Sequence, residues 1–170
     1  MTSEISTTPG TSGETASQDF DFLAGTWDVA NRRRLDFLGE GDSAADWERF
    51  PGVGRASRHF DGRASFDEIE FPTLGLAGLT LRLYDPQREA WSLYWASQRT
   101  GLLFPPVVGR FADGVGEFYG DDTYHDAKVR VRFVWSEITA DSAHWQQAFS
   151  ADGGEHWVTN WHMWMTRRAD

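Results

Sequence analysis

Cysteine is absent from all 170 residues. That excludes a disulfide framework, thiolate catalysis and zinc–thiolate sites together. Long apolar runs are also missing, so no stretch reads as a bilayer-spanning helix. The opening stretch Met1 to Gln18 lacks the basic segment and apolar run of a secretory leader. A cytoplasmic protein with no membrane partner is expected. Basic charge is scarce: 16 Lys and Arg stand against 26 Asp and Glu, for a net charge of -10 and a pI near 4.9. Such a surface repels phosphate backbones, so no nucleic-acid partner is expected.

Catalytic signatures are equally thin. There is no Gly-x-Ser-x-Gly elbow, phosphate loop, dinucleotide fingerprint, HExxH or His-x-His. The histidines are His59, His125, His144, His156 and His162. His156 and His162 share a strand face but stand roughly 20 Å apart along it, too far to share an ion. No metal site is expected.

Sustained helical periodicity is the last absence. Only Gln18 to Ala24, with Phe20 and Leu23 at helical spacing before Gly25, reads as a short helical turn. Residues 1–17 are mostly Ser, Thr, Gly and Glu and are expected to form a disordered tail, leaving 18–170 as one domain.

What the chain has in abundance is large rings: 9 Trp and 12 Phe. Five of the tryptophans fall between Val129 and Arg168, a stretch that reads as three strands, the last two joined at Ala151-Asp152-Gly153-Gly154. Upstream, Thr26 to Phe37 alternates, and Pro51-Gly52 is expected to interrupt the short strand Asp46 to Phe50 as a turn or bulge. Leu79 to Tyr84 and Trp91 to Ser97 pair across Asp85-Pro86-Gln87-Arg88, and Val107 to Phe111 pairs with Val115 to Tyr119 across Asp113-Gly114. Leu79, Leu81 and Leu83 read as core, with Thr80, Arg82 and Tyr84 on the opposite, exposed face; Tyr94 is a candidate ligand contact. Together these make an all-β fold, an antiparallel up-and-down barrel of about nine or ten strands.

The stretch Phe22-Leu23-Ala24-Gly25-Thr26-Trp27-Asp28-Val29 resembles the opening of calycin-superfamily barrels, in which Gly-x-Trp follows a helical turn and starts the first strand. Taken with the closing DGGEHWVTNWHMWMTRR, the chain is similar to an uncharacterised lipocalin-like group of small bacterial proteins. The resemblance implies a barrel with an internal cavity, a structural Trp27 at the closed end, and Arg167 or Arg168 packed across it. The haem-binding nitrobindin-like barrels of the same superfamily carry a fuller Gly-x-Trp-x-Gly-x-Gly pattern. Here Asp28, Val29 and Ala30 follow Trp27, so haem is not expected and no cofactor is predicted. Ser150 to Trp157 resembles the sialidase Asp box, a turn device in which Ser and Asp bond the hairpin backbone, and implies no glycosidase activity.

If Trp27 and Arg167 both face inward, alternation puts Val29, Asn31, Arg33 and Leu35 inside from the first strand. From the last it puts Trp157, Thr159, Trp161, Met163 and Met165 inside, with Asn160 and His162 outside. The expected ligand contacts are thus Asn31, Arg33, Tyr94, Trp157, Trp161 and Met163, with Arg33 and Asn31 orienting the ligand's polar end. The expected function is binding of a small, largely apolar or aromatic molecule in the cavity. Two alternatives stand beside it: a cofactor-independent cyclase, isomerase or lyase using the same cavity, and a filled barrel acting through an oligomer interface such as a homodimer.

Overall fold

A computed structural model describes residues 16–169. The first fifteen residues of the expected tail lie outside the described residues. Its last two do not behave as a tail: the Ala16 carbonyl accepts a bond from the Trp91 indole, and Ser17 is buried.

Ten strands follow in chain order: β1 (Gly25–Arg34), β2 (Trp47–His59), β3 (Ala64–Phe71), β4 (Leu76–Asp85), β5 (Ala90–Ser97), β6 (Val107–Ala112), β7 (Val115–Tyr124), β8 (Ala127–Ser136), β9 (Ser142–Ser150) and β10 (Val158–Arg167). Each pairs antiparallel with the next and β10 returns to β1, so the sheet closes into a calycin-like barrel. Closure leaves no sheet edge and gives every strand an inner and an outer face. No described helix is long and apolar enough to cross a membrane.

The closing seam fixes the register. Trp27 sits opposite Arg167 and Asn31 opposite Met163. The Arg167 guanidinium lies 4.3 Å from the fully buried Trp27 ring and donates to the carbonyls of Ala24, Phe22 and Ala140. The helical turn expected near Phe20 is a 3-10 turn, Asp21–Leu23. It plugs this end of the barrel: Phe20 packs against Trp91, Phe111, Phe118 and Trp135, and the Leu23 carbonyl accepts from the Trp27 indole.

Three expectations are corrected here. Pro51 does not interrupt a strand, because β2 runs unbroken through it; pairing with β3 begins only at Val53, so Pro51 lies where β2 has β1 alone beside it. On β4 the faces are reversed. Thr80, Arg82 and Tyr84 pair with the inward Trp95, Leu93 and Trp91 of β5, so they face the core and the leucines face out. Gly78 is inward too, and the Trp95 ring occupies the space where its side chain would stand.

The third concerns β10. Thr159 pairs with Ala148 but Trp161 pairs with Gln147, so Asn160 is an extra residue in the strand. Such a bulge reverses the alternation on one side of it. Asn160 therefore turns inward and is fully buried, while Trp157 stands on the outer wall beside Tyr119 and Arg132.

Candidate functional site

An off-centre cavity of about 90 Å³ occupies the barrel. No residue of β6 or β7 lines it, because Phe111 and Phe118 fill that half by packing around Phe20. The remaining wall carries Trp27, Trp95, Trp135, Trp145 and Trp161, with Phe133, Met163 and Met165 among them. Gly54 leaves part of the wall open: a Cβ placed there would touch only Val29, at 4.0 Å.

Few polar groups break this apolar surface. Asp67 and Arg82 are the main ones. Asp67 shares the inward face of β3 with Ile69 and Phe71, and its Oδ2 accepts from Arg82 Nη2 at 2.7 Å. Nη1 of Arg82 donates to Ser65, and the guanidinium faces the Phe20 and Trp135 rings at 5.2 and 5.7 Å. With side chains 4% and 14% exposed, the two form a buried ion pair, which needs such additional contacts to offset its lost hydration. Gln147, between Trp145 and Phe149 on β9, is the other buried polar side chain on the wall.

The expected ligand contacts divide into three groups. Trp161 and Met163 line the cavity. Asn31 and Arg33 face the barrel interior but line no part of the cavity; they hold Trp161 in place. The Asn31 Oδ1 accepts from the Trp161 indole at 3.0 Å, and the Arg33 guanidinium lies over Trp161 and Phe50 while pairing with Glu48 at 2.6 Å. Tyr94 and Trp157 are not brought to the cavity. Tyr94 alternates with the inward Leu93 and Trp95 and pairs with the outward Leu81, and the bulge at Asn160 turns Trp157 away. Leu35, expected inside, lies just past β1 and is exposed.

Sequence reasoning missed Asp67, Arg82, Gln147 and Asn160 as interior polar groups. Two had a readable signal: Asp67 keeps period two with Ile69 and Phe71, and Gln147 does so with Trp145 and Phe149. Nothing local marked Arg82, whose face is set by neighbouring strands.

None of the histidines lines the cavity. His144 and His162 meet across β9 and β10 on the outer wall, Nε2 to Nδ1 at 3.0 Å, beside Trp164. Burial lowers the pKa of both; in His162, with His144 and Arg32 adding to the effect, it falls to about 4. The Ser150–Trp157 turn behaves as a turn device. Asp152 accepts from the backbone of Glu155 and His156 and from the Ser150 hydroxyl, and the Trp157 indole donates to Gly154. These bonds, the His156 backbone first, hold the Asp152 carboxyl well below the usual range. Burial raises the Tyr84 phenol, whose hydroxyl has no partner among the described residues.

No family model matches the sequence, and no curated protein is detectably related to it. Among solved structures, the S-type phycobiliprotein lyase from Guillardia theta superposes with a TM-score of 0.53, covering 95% of this chain and 99% of that one at 10% identity. The likeness is one of fold.

Proposed function

We propose that this chain binds a small, largely apolar or aromatic ligand inside its barrel. The observation that carries the reading is the composition of the cavity wall: five indoles and two thioethers around a single, internally neutralised ion pair. Few precisely placed polar groups in an apolar recess are how small-molecule sites are commonly built. At about 90 Å³ the space is smaller than the roughly 150 Å³ of an apolar cavity that accepts benzene. The ligand is therefore compact, or it displaces the flexible Met163 and Met165 side chains that border it. Trp161 and Met163 are direct contacts in this reading, with Asn31 and Arg33 acting through Trp161. The small bacterial lipocalin-like proteins remain the proposed kin and the cytoplasm the proposed location, on the sequence features given above.

A cofactor-independent reaction in the same cavity is a second reading. It is supported by the Asp67 carboxylate on the wall, an acceptor to which a bound substrate could lose a proton. The fold neighbour's being a lyase agrees with either reading and decides between neither.

Native mass spectrometry of freshly purified protein, compared with the same sample denatured, tests the binding reading. A reproducible extra mass lost on denaturation is expected. A bare mass, together with no response of the indole resonances to small aromatic probes, would overturn it.

A further inference from the structure

The bulge in β10 does more than turn Trp157 outward. It places Asn160, fully buried, beside Gln147. Gln147 Nε2 donates to Asn160 Oδ1 at 2.9 Å, and Asn160 Nδ2 donates to the Phe37 carbonyl at 3.2 Å. The Phe37 carbonyl is only an acceptor, so it fixes which way the Asn160 amide points. Asn160 in turn fixes the Gln147 amide. The group left free on Gln147 is Oε1, which makes no hydrogen bond among the described residues and is not sealed off as a buried orphan. Gln147 is 8% exposed and lines the cavity.

Both cationic side chains on the same wall are already engaged. Arg82 is paired with Asp67, and Arg55, at the cavity's edge, lies 3.7 Å from Glu70. An anionic ligand would find no unpaired cation there and would have to sit near the Asp67 carboxylate. A neutral ring with an O–H or N–H meets neither obstacle and satisfies the Gln147 carbonyl.

We infer that Gln147 is the specificity-determining residue of the cavity, accepting a hydrogen bond from a neutral aromatic donor of the phenol or indole class, and that Asn160 is its positioning residue. This rests on the binding reading above. It goes further by naming the chemical class and the atom that selects it. Phe37 lies in the connection between β1 and β2 and packs on Tyr124 and Phe149, so the orientation of the acceptor is set from that connection.

The test compares phenol with toluene, near-isosteric probes that differ in the donor, by titration of the tryptophan indole resonances in wild type, Gln147→Met and Asn160→Ala. In Gln147→Met the phenol-to-toluene affinity ratio is expected to fall roughly fivefold or more while toluene binding is retained, as loss of one hydrogen bond implies. Asn160→Ala leaves Gln147 in place but frees its amide to turn, so the same ratio falls with toluene again unchanged. Retained toluene binding is the internal check that each variant is folded, and either variant decides alone should the other fail it. A ratio that stays at the wild-type value overturns the inference and leaves the binding reading standing. Failure of both probes to bind wild type overturns the inference, and overturns the binding reading with it where the native mass is also bare.

Discussion

Arg82 and Asp67 form an ion pair 2.7 Å long inside the barrel, on adjacent strands whose outer faces at those positions carry leucines and a phenylalanine. Removing one partner leaves the other buried without compensation. Asp67→Ala is expected to destabilise the fold by about 3–5 kcal/mol, read from the midpoint of urea unfolding. The double replacement Asp67→Leu with Arg82→Met removes both charges and should recover most of that loss. Equal instability of single and double variants would show that the pair contributes packing rather than charge.

Arg167 ties the last strand to the N-terminal plug through carbonyls of Phe22, Ala24 and Ala140 as well as the Trp27 ring. Arg167→Gln is expected to lower stability by about 2–4 kcal/mol, since charged donors to several carbonyls are lost together. Its neighbour Arg168 pairs with Asp28 at the exposed surface, and Arg168→Gln should barely move the unfolding midpoint. Similar shifts for the two variants would contradict the assignment of Arg167 as the closing residue.

Gly54→Leu directs a side chain into the open part of the cavity without disturbing a strand whose backbone there is ordinary. The variant should fold, keep its far-ultraviolet spectrum, and lose any retained mass and any response to phenol or toluene. Unchanged uptake would place the binding space elsewhere.

The pair His144 and His162 links stability to pH. Their folded-state pKa values lie below the unfolded value, His162 at about 4, so the unfolded chain takes up protons first as pH falls. Their contribution is therefore intact above about pH 6.5 and is lost progressively between there and about pH 4. Urea midpoints measured across this range should decline, and His162→Phe should flatten the decline. Arg32 opposes protonation of His162, and Glu137, 3.9 Å from His144, partly favours it there. A titration of the His162 ring resonances that centres near the ordinary histidine value would remove the basis of this expectation.

Much of the barrel was readable from the chain. Period-two alternation, hairpin turns such as Asp113-Gly114, and the lack of helical period pointed to about nine or ten antiparallel strands, of which there are ten, and Gly25-Thr26-Trp27 with Arg167 or Arg168 marked the ends that meet, at Arg167. The interior was less readable, for two physical reasons. On β4, alternating leucines are as compatible with an outer face as with an inner one, and the choice falls to the rings of β5 across the sheet. On β10, one inserted residue exchanges the faces on its N-terminal side, and nothing in Val158-Thr159-Asn160-Trp161 announces the insertion. Trp161 and Met163, beyond the bulge from the turn, kept their expected side; Trp157 did not.

The seam between β1 and β10 also bears on how the chain folds. Asp28 and Arg168, which meet there, are 140 positions apart, and every other strand pair joins neighbours in sequence. Hairpins from β1–β2 to β9–β10 can form locally and early, whereas closure must bring together the two ends of the barrel and bears the largest loop entropy. Until that step, β1 and β10 each present an unpaired edge, and the aromatic wall that becomes the cavity is open to solvent. The interval before closure is thus when the chain is most open to edge-to-edge association with its own copies, and a variant that weakens the Arg167 clasp lengthens it.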